Sequence, residues 1–246
     1  MEVSTLTVFA YALVTAVATG LGALPFVRFR SVSRAWLGIA NAIAAGLMLA
    51  ASFGLIYEGI AEDLLRTVLG VLLGLGFILW AHAVLHRYDR LRLGQLNGLD
   101  ARKALLIVGV MTLHSFTEGV GVGVSFGGGE ALGLFITAAI AVHNIPEGIA
   151  ISLVLVPRGV PWWKAGGWSV FSSLPQPLMA VPAFLLVEVF QPFLPVGLGF
   201  AAGAMIWMVF SELLPDALKD APHDRVATTV TLSVSAMMIF QVLLRP

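Results

Sequence analysis

The sequence predicts an all-α membrane protein of eight transmembrane helices, and three observations predict it. Hydrophobic residues fill 59% of the 246 positions while charged residues fill only 11%. Mean hydropathy is +0.94. A water-soluble domain carries roughly a quarter charged residues, so this chain has too few to cover a surface in water. Apolar runs also recur along its whole length, each close to the ~20 residues with which a helix crosses the hydrocarbon layer. They lack the apolar–polar alternation of membrane-barrel strands, and helices satisfy their own backbone in lipid.

The first run covers residues 5–27. No positive residue precedes it, so it reads as a span that stays and not as a cleaved signal peptide. The second run, 35–57, leads into Glu58, Glu62 and Asp63, a solvated mouth. The third, 67–85, closes on His82 and His86, four apart like a ligand pair but expected at the interface because they end the run. Residues 86–103 are charged and glycine-containing, and are expected to form a mobile cytoplasmic loop. The fourth and fifth runs, 104–126 and 131–156, are joined so tightly through Gly127–Glu130 that they must be antiparallel neighbours. Trp162, Trp163 and Lys164 form an interfacial anchor ahead of the sixth run, 165–187. Glu188, Gln191, Pro192 and Pro195 mark the break before the seventh, 189–214, and the eighth is 226–244. The whole of 1–246 therefore reads as one transmembrane domain.

Of the 14 Lys and Arg residues, 12 fall in the first, third, fifth and seventh connections, leaving Arg66 and Arg245 on the other side. That bias puts the odd-numbered connections in the cytoplasm and both termini outside. A net charge of zero gives no nucleic-acid-binding character, and the absence of cysteine excludes disulfides and thiolate ligands.

Chemistry is concentrated in two similar segments. Leu113-His114-Ser115-Phe116-Thr117-Glu118-Gly119 lies in the fourth run and Val142-His143-Asn144-Ile145-Pro146-Glu147-Gly148 in the fifth. Each sets an imidazole four residues before a carboxylate, hence on one helix face. Two such faces on adjacent helices offer two nitrogen and two oxygen ligands: His114, Glu118, His143 and Glu147. A charged group at mid-membrane costs about 2.5–3.5 kcal/mol by insertion scales. One divalent cation balances both carboxylates, so the loaded site is neutral; filling an empty site should expel protons. This donor set suits Zn2+, with Fe2+, Mn2+ and Co2+ also possible, better than Ca2+ or Mg2+. Pro146 is expected to kink or open its helix, and glycines 119, 121, 123 and 148 to permit close helix approach. One buried His or Glu can serve merely as an interhelical hydrogen-bonding group; the duplication argues against that reading here. No prosthetic cofactor is implied. Glu212 and Asp216, flanking Pro215, read as cavity residues or a wet helix end.

At these residues the chain resembles the ZIP (Zrt-, Irt-like protein) family of metal transporters. His143-Asn144-Ile145-Pro146-Glu147-Gly148 is close to that family's His-Asn-x-Pro-Glu-Gly signature, and His114 to Gly119 is a looser copy. Residues 44–53, residues 201–206 and Glu212-Leu213-Leu214-Pro215 resemble its second and seventh helices. The resemblance implies a ZIP-like bundle and movement of metal toward the cytoplasm. It also implies a primary site at His114, Glu118, His143 and Glu147, and a homodimer in which helices one, four, five and six slide against the rest. The protein would be a multi-pass resident of a cell membrane, inner or plasma, with a divalent metal ion and the lipid bilayer as its partners. Where two-metal relatives carry further acidic or amide ligands, this chain has Ser115, Asn144 and Gln176, none of them charged; with Glu212 these are accessory or pathway candidates. One tightly held ion is therefore expected. An intramembrane metal-dependent hydrolase is the alternative from another class, but its His-Glu-x-x-His motif is absent. A metal sensor that moves no ions is the third reading.

Overall fold

The computed structural model describes residues 3–28, 33–86, 92–93, 96–127 and 129–244. The chain is helical almost throughout. α1 (Thr5–Leu21) starts where the Ser4 hydroxyl accepts the Thr7 amide, and a short turn, Pro25–Arg28, follows it. α2 (Arg34–Glu62) is capped by Ser33 and α3 is Leu64–His86. A minimal antiparallel pair, β1 (Arg92–Leu93) with β2 (Leu96–Asn97), precedes α4 (Gly98–Gly127). α5 (Glu130–Leu155) comes next, followed by α6 (Trp162–Ser173) and α7 (Pro175–Leu185). Two single turns lead into α8 (Leu194–Met208), a π-helical stretch Val209–Leu213, α9 (Leu214–Asp220) and α10 (His223–Leu244).

Among the described residues, seven helical stretches are long and apolar enough to cross a membrane. The sixth predicted span is not one helix but two, of 12 and 11 residues, divided at Leu174. Pro175 and Pro177 explain the break, since neither can donate an amide to the preceding turn. Leu174 keeps right-handed helical dihedrals, so the chain runs on in the same sense. Together the two pieces have the length of one crossing.

Three further expectations need correction. The loop expected over 86–103 is shorter, because α4 begins at Gly98. Ala101, Lys103 and Ala104 are strong helix formers, and the helix outruns the apolar segment that the bilayer demands. Residues 87–91 and 94–95 of that stretch lie outside the described residues. The seventh span does not start as a regular helix at 189; Pro192 and Pro195 confine residues 187–193 to two short turns. Finally, α5 is not opened at Pro146, which sits inside a continuous helix. Proline already has helical φ, so it forfeits one hydrogen bond; the packing of Gly148 directly on the Thr19 carbonyl of α1 holds the segment in place.

The helices fall into two groups. α1 packs against α5, α6 and α7, while α4 packs against α5 and α7. α8 packs against α3 and α2, and α2 against α9 and α10. The groups meet where α8 lies on α4 and α2 on α5. Outward faces are apolar, as lipid requires: Leu65 of α3 is 79% exposed and Leu243 of α10 is 77% exposed.

Candidate metal centre

The repeated His-x-x-x-Glu motif does what its spacing predicts on α4. His114 and Glu118 stand one turn apart, both buried, with His114 Nε2 3.5 Å from Glu118 Oε1. The α5 copy supplies Glu147, also buried, whose Oε1 lies 3.0 Å from the same imidazole nitrogen. Donor atoms of His114, Glu118 and Glu147 all lie within 4.8 Å of one another. Donors at about 2.0–2.1 Å from a tetrahedral Zn2+ stand roughly 3.3 Å apart, so the two separations from the His114 nitrogen are near what one small ion requires. The side chain of His143 lies outside the described residues; its backbone is on α5, four residues before Glu147.

Around this triad is a polar network that the motifs did not announce. Gln176, the second residue of α7, is fully buried. Its Nε2 donates to Glu118 Oε2. Its Oε1 accepts from Thr15 Oγ1 of α1 and from Asn144 Nδ2, the latter at 3.1 Å. Asn144 Nδ2 also donates to the Thr15 carbonyl at 2.8 Å. One turn further along α1, Thr19 Oγ1 and Ser173 Oγ share a hydrogen bond of 2.7 Å. Gln176 and Asn144 therefore brace the carboxylate cage and link α1, α4, α5 and α7. Ser115 follows His114 in sequence and is fully buried.

Glu212 is elsewhere. It pairs with Lys103 Nζ at 3.0 Å, and Lys103 also bonds Asp216 Oδ2. The accessory candidate thus belongs to an ion cluster joining α4 to the π-helical stretch after α8 and to the start of α9. His82 packs its ring edge-on to Trp207 at 5.2 Å, and Lys164 lies over the Trp163 ring.

Sequence reasoning missed Thr15, Thr19 and Lys103. The hydroxyls gave only a weak signal, because a threonine inside a helix commonly bonds its own turn, and the Ala12 carbonyl is an alternative acceptor for the single Thr15 hydroxyl proton.

Comparison with known proteins identifies the family. A family model described as ZIP zinc transporter matches residues 90–242. The chain is 52% identical, over 96% of its length, to a protein of Arabidopsis thaliana named as a candidate zinc transporter, but spans only 38% of that relative. It is similar to the zinc transporter ZIPB of Bordetella bronchiseptica, with 34% identity over 91% of this chain and 76% of the relative. It is similar also to the zinc transporter GufA of Myxococcus xanthus, with 33% identity over 88% of this chain and 90% of the relative.

Proposed function

Because the chain belongs to the ZIP zinc transporter family, we propose that it carries divalent transition metal ions, Zn2+ foremost, across the membrane by alternating access. Members of this family are transporters and not enzymes, which removes the hydrolase alternative. The observation that carries the proposal is the convergence of His114, Glu118 and Glu147 from two adjacent helices, buried inside apolar spans. Three ionisable groups in such a place are costly alone and balanced by a dication. His143 is the fourth ligand in this reading, because its position on α5 puts it on the Glu147 face. Two carboxylates neutralise one Zn2+; a second would meet only the uncharged Ser115, Asn144 and Gln176, so one ion is held.

Charge bias supports the orientation of the termini, and the family resemblance supports the direction of transport, the moving helix group and the pairing. Both termini face outside, metal moves inward to the cytoplasm, and the α1, α4, α5, α6, α7 group moves against the others. The working unit is one transmembrane domain, paired as a homodimer in a cell membrane. Fe2+, Mn2+ and Co2+ remain within reach of the same donors.

Radioactive zinc uptake into proteoliposomes tests the reading. The wild type should accumulate zinc, whereas Glu147→Ala and His143→Ala should insert and fold yet lose flux at least about a hundredfold, the upper range for losing support at a metal. Wild-type uptake by Glu147→Ala would sink the proposal, and binding without any uptake by the wild type would favour a sensor.

A further inference from the structure

We infer that Gln176 determines which ion the site prefers, by holding Glu118 to a one-oxygen ligand. The inference rests on the metal-carrier reading and deepens it. Glu118 has two carboxylate oxygens with different partners. Oε2 accepts the amide hydrogen of Gln176, whereas Oε1 faces His114 Nε2 at 3.5 Å. The amide cannot be turned over. Its Oε1 accepts from Asn144 Nδ2 and faces the Thr15 hydroxyl, and a flip would set oxygen against the carboxylate and nitrogen against the Asn144 amide donor. Thr15 and Asn144 are themselves buried, and Asn144 is tied to the Thr15 carbonyl, so the orientation is fixed from two helices.

A carboxylate with one oxygen so engaged is biased toward one-oxygen binding, because two-oxygen binding would make Oε2 share its lone pairs between the ion and the amide hydrogen bond. Four single donors suit the tetrahedral preference of Zn2+. Mn2+ prefers an octahedral shell rich in oxygen, and gains from any carboxylate that can supply both oxygens. Freed from Gln176, Glu118 becomes such a ligand. The amide therefore acts as a positioning residue that works through Glu118 and not by touching the ion.

The packing leaves little freedom for an alternative arrangement. Gly119, next to Glu118, lies so close to α7 that an added Cβ would strike the Gln176 backbone carbonyl. The side chain on α7 and the carboxylate on α4 are thus pressed together by the helix seam itself, and their contact does not depend on a flexible loop.

The test is calorimetric titration of the full chain in lipid nanodiscs with ZnCl2 and separately with MnCl2. The wild type should bind one Zn2+ per chain. Gln176→Leu should lower the ratio of Zn2+ to Mn2+ affinity by about tenfold to a hundredfold, the range typical of outer partners to metal ligands. Thr15→Val, nearly the same shape, removes one bond that orients the amide and should move the ratio in the same direction by less. It carries the test alone if Gln176→Leu does not fold. A ratio unchanged in the folded variants, even with both ions weakened equally, overturns the inference and leaves the carrier reading standing. Failure of the wild type to bind Zn2+ overturns the carrier reading, and this inference with it.

Discussion

The seam between α3 and α8 and the seam between α4 and α7 are both lined with glycine, yet they hold together differently. In the first, both helices contribute. Gly70 and Gly74 of α3 lie against the backbone of Val196 and Phe200, while Gly199 and Gly203 of α8 lie against that of Thr67 and Val71. Backbones in that much contact gain dispersion energy and displace lipid. The one buried hydroxyl at the seam, Thr67, bonds back to the Asp63 carbonyl of its own turn. In the second seam only α4 supplies glycines, Gly119 and Gly123, and α7 answers with the backbone of Gln176 and Ala180. There the contact carries polar atoms directly to Glu118. One seam is built to stay closed; the other places a ligand.

That contrast can be broken by mutation. The largest effect is expected at Gly203→Leu, where the new side chain would meet the Val71 carbonyl and force α3 from α8. Overpacking of this kind, against backbone that cannot yield, should cost about 3 kcal/mol or more. Thermal unfolding in detergent reads it, and the zinc affinity of whatever remains folded should be unchanged. Gly123→Val makes the matching insult at the other seam, against Ala180 and Ala183. Because α7 is a short piece already divided from α6 at Leu174, it can shift. Stability should then fall less than in Gly203→Leu, while zinc affinity drops about tenfold as Glu118 and Gln176 part. If Gly203→Leu were the variant that lost zinc and Gly123→Val the one that unfolded, the division of labour would be reversed.

The two seams were unequally legible in the sequence. Helix number and approximate placement came from apolar runs because the bilayer imposes one length on every crossing. His114, Glu118 and Glu147 were legible because their spacing of four is a local signature, complete within five residues. Gln176 stood out only through the resemblance, and its partner Thr15 not at all: the two are 161 residues apart, in different apolar runs. No periodicity encodes such a pairing; it exists only once α1, α4, α5 and α7 have packed. The break at Leu174 was written in Pro175 and Pro177 but was masked by the uniform hydropathy around them. The early start of α4 was hidden for the opposite reason, since charged residues end an apolar run without ending a helix.

The last and smallest effect concerns the contact between the two helix groups. Lys103 belongs to α4, on the side of the site, and pairs with Glu212 and Asp216, which lie with α8 and α9 on the other side. Its side chain is only 14% exposed and that of Glu212 16%. Such pairs stand between exposed ones, worth up to about 1 kcal/mol, and fully buried ones, whose loss of one partner costs about 3–5 kcal/mol. Lys103→Met should therefore lower stability by about 1–2 kcal/mol, mainly because two carboxylates are left facing each other without their cation. Adding Glu212→Gln should recover part of that loss, since it removes one of the stranded charges. The double variant measured by thermal unfolding decides the cause. A loss that stays the same with Glu212 neutralised would mean that Lys103 matters through the packing of its long stem, and that the two helix groups are held together by shape alone.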